Sequence, residues 1–317
     1  MSDQTIFNNK PTILPYQKAV YEKLCAYARA SLLVDRKSIS SLKLRTNFLL
    51  LGPTGTGKTF LAKEVARELK VPFLAVSVSD WIILGGTNRG STTTWPIIYQ
   101  FIQRSKSCRG AIIFIDELDK CYHDSNWNSF LRSEIFSLCD ARIPVGLNDP
   151  DDEDTLQFCT DEAEDFLSNK TMIIGGAAFQ SIWEDKSARK MGFQIASEAE
   201  PQTDLTDLVK YLPRELINRF SSELFILPRL ERIDYLRMIE FLAEMIPDIW
   251  RKRFLELGIA RIDQAIHHQK GVRYAEEILL AAIVAERTSM ANFVAEFEDV
   301  GSSDHEPDKP DDSMFVF

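Results

Sequence analysis

The chain has 317 residues, 45% hydrophobic and 26% charged, the profile of a folded soluble protein with room for about two domains. Lys and Arg total 37 against 47 Asp and Glu, a formal net charge of −10, which weighs against a broad nucleic-acid or anionic-membrane surface and leaves only a local basic groove open. No apolar run approaches the roughly 18 residues of a membrane span, the polar start MSDQTIFNNK lacks the regions of a secretory signal, and the cysteines (Cys25, Cys108, Cys121, Cys139, Cys159) are odd in number with no CxxC pair, so the expected setting is cytoplasmic and reducing, without a disulfide framework or zinc knuckle.

Residues 16–33 space their apolar side chains as an amphipathic helix does. Short apolar runs follow: FLLL (48–51), FLAVSV (73–78), AIIFI (111–115) and TMII (171–174). Helical stretches such as Thr59–Leu69 and Pro96–Arg104 lie between them, the second opening on a Ser/Thr-rich cap followed by proline. Strands that are apolar throughout and alternate with helices predict an α/β fold with a parallel sheet covered on both faces. Residues 143–169 hold nine acids and no Lys or Arg, and read as an exposed, mobile insertion or as a docking surface for a basic partner. Beyond about Leu230 no strand signal remains. Helical periods run through Ile233–Met245, Ile249–Leu257 and Tyr274–Phe297, a smaller all-helical unit. The expected division is a nucleotide-binding αβα domain over 1–228 with an acidic insertion at about 147–169, a helical lid over 229–300, and a disordered acidic tail over 301–317 ending in the apolar Met314–Phe317.

The strongest chemical signal is Gly52-Pro53-Thr54-Gly55-Thr56-Gly57-Lys58-Thr59, which fits GxxxxGK[ST] between a strand and a helix. Glycines allow main-chain N–H groups to close around phosphate oxygens, and the helix N-terminus adds partial positive charge. Lys58 supplies a point charge for the β- and γ-phosphates, and Thr59 a hydroxyl for Mg²⁺. The second signal is the strand Ala111–Ile115 followed by Asp116 and Glu117. A strand end in an open α/β sheet is where ligands bind. There Asp116 suits Mg²⁺, and Glu117 suits orienting or deprotonating an attacking water. These acids are expected on the strand adjacent to the one that carries the glycine loop.

GPTGTGKT and IIFIDELDK together resemble the AAA+ ATPases and, within them, the Clp-type unfoldases. Further points of resemblance are Gly175–Gln180, Leu212–Phe220 and Gly271-Val272-Arg273, so the likeness runs over about residues 11–298. It implies a P-loop NTPase αβα sandwich with a small helical lid, ATP and Mg²⁺ as cofactors, and assembly into a hexamer. It also implies that Arg219, with Arg214 as a weaker second, acts as an arginine finger on a neighbour's nucleotide. In related phosphoryl-transfer systems such an arginine is worth roughly 10³–10⁵ in rate. Arg273 resembles the arginine that starts a lid helix and touches its own subunit's phosphates. Ile13 and Leu14 fall where the family holds the adenine base.

The chain also departs from that pattern. Clp-type unfoldases grip polypeptide with an aromatic Gly-Tyr-Val-Gly loop, whereas the matching Gly86-Thr87-Asn88-Arg89-Gly90 has no aromatic residue, and Trp81 and Trp95 belong to the flanking elements. The position that usually holds a polar side chain beside the attacking water falls at Gly175-Gly176, with Gln180 as the only substitute in reach. Between Gly258 and Gly271 only 12 residues remain where the family fits a further helix, so a shortened lid is expected. No Cys-rich zinc domain precedes the ATPase motifs, and Met191-Gly192-Phe193 is a weak echo of a peptidase-docking tripeptide. His267-His268 lacks the cysteines or carboxylates of a metal site.

These readings converge on an ATP-hydrolysing ring that remodels, unfolds or disassembles a protein partner. A peptidase or adaptor stands as a lesser partner, and no membrane is involved. The competitors are a nucleic-acid motor or loader, supported only by Arg89 and by Arg104, Lys106 and Arg109, and a nucleotide-gated scaffold with slow turnover.

Overall fold

The computed structural model describes residues 12–34, 44–85, 94–122, 126–143, 160–179 and 212–289. A 3-10 turn (Pro15–Gln17) enters α1 (Lys18–Leu33), and the chain continues through β1 (Asn47–Leu51), α2 (Lys58–Leu69), β2 (Phe73–Ser77), α3 (Val78–Gly85) and α4 (Thr94–Ser105). Then come β3 (Ala111–Asp116), a 3-10 turn (Leu118–Tyr122), α5 (Asn126–Cys139), α6 (Thr160–Lys170), β4 (Thr171–Ala177), α7 (Arg214–Ile217) and β5 (Leu224–Ile226). Helices α8 (Arg232–Ala243), α9 (Asp248–Ala260), α10 (Ile262–His268) and α11 (Arg273–Ser289) complete the described chain.

The strands form one sheet in the order β2-β3-β4-β1-β5, every pair parallel. Side chains alternate across a strand, and the sequence uses that alternation twice. Leu49, Leu51, Ile113, Ile115 and Ile173 enter one layer with Trp81, Trp95, Ile98, Ile135 and Phe220. Phe48, Leu50, Ile112, Phe114, Met172 and Ile174 enter the opposite layer with Leu24, Ala28, Leu61 and Val65 of α1 and α2. Each such side chain removed from water contributes about 1.5–3 kcal/mol, so both faces need helices over them, and the strands read as continuous apolar runs for that reason. The result is the α/β sandwich of a P-loop NTPase. A third core is wholly helical: Tyr235, Met238 and Ile239 of α8, Phe254 of α9, Ile262 and Ala265 of α10, and Tyr274 and Ile278 of α11 pack together with Leu14.

Several expectations are corrected. The run 73–78 ends as a strand at Ser77, and Val78 opens α3, because Trp81 turns into the core and its Nε1 donates to Glu134 Oε2 at 2.7 Å. The acidic insertion is not one mobile segment: 160–170 is α6, whose Ala163, Phe166 and Leu167 bury one face while Asp161, Glu162 and Asp165 stay outside. The 12 residues between Gly258 and Gly271, expected to leave no room for a further helix, do hold one, α10, with Ile262 and Ala265 fully buried. Nor do the glycine loop and the two acids leave adjacent strands, because β4 lies between β1 and β3. The expectations placed on residues 86–93 (with Arg89), 147–159, Gln180, Met191–Phe193 and the tail from 301 lie outside the described residues.

Among the described residues no helix is long and apolar enough to cross a membrane. Of the basic cluster, Lys106 is paired with Glu162 of α6 at 2.6 Å. Burial pushes the Cys121 thiol up to about 12, so it packs as a protonated apolar group.

Candidate nucleotide site

Strand β1 carries the chain straight into the glycine loop, and Gly57 caps α2 with φ +84°. At Gly55 (φ +82°) an added Cβ would stand 2.7 Å from the Lys270 carbonyl oxygen, so only glycine allows the turn before α11 to approach the loop this closely. The Val272 N–H donates to Gly55 O at 2.9 Å across that approach. Lys58 is buried, and its Nζ donates to Gly52 O at 2.7 Å and Pro53 O at 3.1 Å. Burial lowers its pKa, while the nearby Asp116 and Asp119 carboxylates pull it back up.

Thr59 Oγ1 donates to Asp116 Oδ2 at 2.7 Å. The two residues meet although β4 separates their strands, because β4 is bare there. Gly176 pairs with Leu50 and Gly175 with Ile115, and a Cβ on Gly176 would lie 2.5 Å from Phe114 Cζ and 3.3 Å from Asp116 Oδ1. The pair of glycines that occupies the expected polar position is thus explained by space: a side chain at Gly176 would collide with the ring under Asp116, and one at Gly175 with Leu118 and Phe220 on the other face of the sheet.

Glu117 adopts φ +60°, uncommon for a residue with a Cβ. Its N–H donates to Asp116 Oδ1 at 2.9 Å, which turns the two carboxylates apart. The Glu117 carboxylate accepts from Ser77 Oγ at 3.0 Å, from Ser79 Oγ, and from Lys120 Nζ at 2.7 Å. Partial burial pushes the carboxyl up, but the donors from Lys120, Ser79 and Ser77 outweigh it and hold the pKa below the ordinary glutamate value.

These groups face a cavity of about 580 Å³ between the loop, the end of β3 and the helical layer. Thr59, Asp116, Glu117 and Arg273 give it a polar side, and Leu14, Leu242 and Val272 an apolar one. An apolar wall with a few convergent polar groups is the usual form of a cofactor site. Leu14 is on this wall, whereas Ile13 packs against the layer of Leu24 and Phe48. Arg273 opens α11 beside Lys58, and its charge adds to the lowering of the Lys58 pKa. Magnesium fits the donor set: a hydroxyl and a carboxylate in contact are hard oxygen ligands, and Mg²⁺ takes one or two carboxylates with phosphate oxygens and water.

Arg219 is elsewhere. Its Nε and Nη2 both reach Asp140 Oδ2, at 3.0 and 2.9 Å, its Nη1 donates to Glu215 O at 2.6 Å, and its guanidinium lies 4.2 Å from the centre of the Phe136 ring. Arg214 is exposed in the first turn of α7. Among the described residues at the end of β4, Ala178 lines the cavity, and its N–H donates to Asp119 Oδ1 at 3.1 Å.

Sequence reasoning missed Gln17, Ser77, Ser79, Asp119, Lys120, Leu242 and Glu276, all at the cavity or bonded to its residues. Only Lys120, three residues after Glu117 in a tight turn, carried a local signal. The serines and Gln17 act some 40 positions away in sequence from the groups they hold.

Residues 48–140 match the family described as ATPase family associated with various cellular activities (AAA). The ATP-dependent zinc metalloprotease FTSH 7, chloroplastic, of Arabidopsis thaliana is 33% identical over 144 residues, 45% of this chain and 16% of that protein. The ATP-dependent Clp protease ATP-binding subunit ClpX 2 of Wolinella succinogenes is 25% identical over 213 residues, 63% of this chain and 51% of that protein. The subunit ClpX of Treponema denticola is 30% identical over 197 residues, 56% of this chain and 45% of that protein. The chain therefore spans about half or less of these curated relatives. Together the family match over residues 48–140 and the geometry of the cavity support ATP hydrolysis by this part of the chain.

Proposed function

We propose that this AAA-type ATPase domain drives a homo-oligomeric ring of the Clp type, in the cytoplasm, that remodels, unfolds or disassembles a protein partner. The observation that carries the ATPase part is the contact of Thr59 with Asp116 at 2.7 Å, beside the buried Lys58 and across from Glu117 and Arg273. Magnesium held at Thr59 and Asp116 would neutralise charge on the β- and γ-phosphates. Gly52–Thr59 would bind the phosphates, Lys58 would hold their negative charge, Leu14 would seat the base, and the ionised Glu117 would orient the attacking water and take its proton. Arg273 would contact the phosphates from the lid, so that hydrolysis alters how the lid sits on the sheet domain. Arg219 would complete a neighbouring subunit's site, which makes the hexamer part of the reaction. The names of the relatives, protease ATP-binding subunits and ATP-dependent proteases, support a protein as the partner, with a peptidase or adaptor as a second partner.

The test is a trap. Glu117→Gln should bind ATP, hydrolyse it at least about 100-fold more slowly as expected for loss of a general base, and retain a partner in a pull-down only when ATP is present. Normal turnover in that variant would remove Glu117 from its role, and capture indifferent to ATP would end the remodelling reading.

One observation favours a nucleotide-gated scaffold instead. Among the described residues, the end of β4 offers the cavity Ala178 and no polar side chain to help hold a water. That reading predicts tight ATP binding with turnover that stays slow when the partner is added. The nucleic-acid motor has less behind it, since Glu162 neutralises Lys106 in its basic cluster.

A further inference from the structure

Gln17 bonds to both walls of the cavity. It lies in the 3-10 turn before α1 and is fully buried. Its Oε1 accepts the Leu14 N–H at 3.2 Å, and Leu14 forms part of the apolar wall. Its Nε2 donates to Thr56 O at 2.8 Å, inside the glycine loop. The bare α-carbon of Gly57 leaves room for this amide, because an added Cβ there would stand 2.6 Å from Gln17 Nε2. Tyr16 braces the same carbonyl, its hydroxyl donating to Thr56 O at 3.0 Å while its oxygen accepts from Gln17 Nε2 at 3.4 Å. Burial raises the Tyr16 phenol well above its ordinary value, so that hydroxyl remains a donor.

Both ends of the amide are therefore committed, and neither can leave its partner without stranding a buried polar group. Leu14 and the glycine loop come from chain segments about 40 residues apart, and the Gln17 amide, with the Tyr16 hydroxyl beside it, ties the two segments together. A ligand with an apolar ring at one end and phosphates at the other gains from both walls only when they are already at the right separation.

We propose that Gln17 is a positioning residue that sets the distance between the Leu14 wall and the glycine loop, and so makes the cavity selective for a nucleoside triphosphate over phosphate chains that lack a base. The inference rests on the reading that this cavity takes ATP.

Calorimetry on the full chain, with magnesium, would compare ATP with inorganic tripolyphosphate as probes. The wild type should bind ATP more tightly than tripolyphosphate. In Gln17→Met the ATP constant should weaken by about tenfold or more, while the tripolyphosphate constant changes by less than about threefold, because only the linked ligand needs the spacing. Should Gln17→Met lose its cooperative thermal transition, the milder Gln17→Asn, with the same amide one methylene short, gives the reading. Equal weakening toward both probes, or unchanged ATP affinity in a folded variant, would overturn the proposal. A wild type that binds tripolyphosphate but shows no preference for ATP would instead overturn the ATP reading beneath it.

Discussion

Thr59 and Asp116 share a hydrogen bond of 2.7 Å although strand β4 runs between the strands that deliver them. The contact depends on the absence of a side chain at Gly176, which faces Phe114 and Asp116. A Cβ at Gly176 would meet Phe114 Cζ at 2.5 Å, and that ring is fully buried and stacked on Phe73, so it has nowhere to go. Gly176→Ala should therefore cost about 1–3 kcal/mol of stability, the range for overpacking a filled core, and should weaken magnesium-dependent ATP binding by shifting Asp116. Urea denaturation gives the first number and ATP titration with and without magnesium the second. A variant as stable as the parent would mean that the strand yields here and that the glycines are not needed for space.

The bond of Lys120 to Glu117 has a consequence in pH. Because the donors around Glu117 hold its pKa below the ordinary value, the carboxylate is already ionised at and above that value, and it loses its charge only as the pH falls through the lower, folded value. Lys120→Met removes one donor and leaves the burial that pushes the other way. The acid limb of the pH–turnover profile should then move to higher pH, with the alkaline side unchanged. If the acid limb stays in place, Lys120 is a surface ion pair of little weight.

Lys58 is the plainest test of the phosphate loop. Its ammonium bonds the carbonyls of Gly52 and Pro53 from a buried position, so it remains beside the loop without a ligand to hold it there. Lys58→Ala should lower ATP affinity by roughly 10- to 150-fold, equivalent to the ~1.5–3 kcal/mol of a hydrogen bond to a charged group. Titration with a fluorescent ATP analogue reads this directly. Unchanged affinity would show that phosphates do not lie against this loop.

What could be read from the sequence was what rests on local pattern. The apolar runs of β1, β3 and β4 stand out because a parallel sheet buries both faces, and the glycine loop stands out because its residue types are fixed one by one by the phosphates it is shaped to receive. β5 is only three residues long, too short to show a period. The α6 segment was obscured by its own charge: Ala163, Phe166 and Leu167 sit at helical spacing, but the acids between them dominate the composition. The same bias toward counting residues hid α10, where two buried positions are enough to anchor a seven-residue helix. The brace of Gln17 on Thr56 and the serine contacts of Glu117 were out of reach for another reason. They are chosen by the tertiary fold, and a buried glutamine in a short turn looks like any polar residue until its partners are placed.

Arg219 raises the sharpest question about assembly. Within one chain its guanidinium is already occupied, by Asp140 through two nitrogens, by Glu215 O through a third, and by the face of Phe136. In addition, Asn47 Nδ2 donates to the carbonyls of both Cys139 and Arg219, which ties this clasp to the first residue of β1. Two roles make opposite demands. If Arg219 only clasps α7 to the end of α5, Arg219→Ala should lower stability by under about 1 kcal/mol, since the pair is partly exposed, and turnover should follow folded protein. If Arg219 also reaches a neighbour's γ-phosphate, Arg219→Ala should nearly abolish turnover in a folded, assembled protein. Mixing it with Glu117→Gln subunits should then restore measurable activity, because some interfaces would combine an intact Glu117 with an intact Arg219. Asp140→Ala sharpens the comparison: it frees the guanidinium without removing it, so a trans role predicts turnover retained where Arg219→Ala loses it. Steady-state ATPase assays on the single variants and on mixtures at fixed total subunit concentration separate the two, and an absence of rescue in mixtures that still assemble would leave Arg219 as a clasp alone.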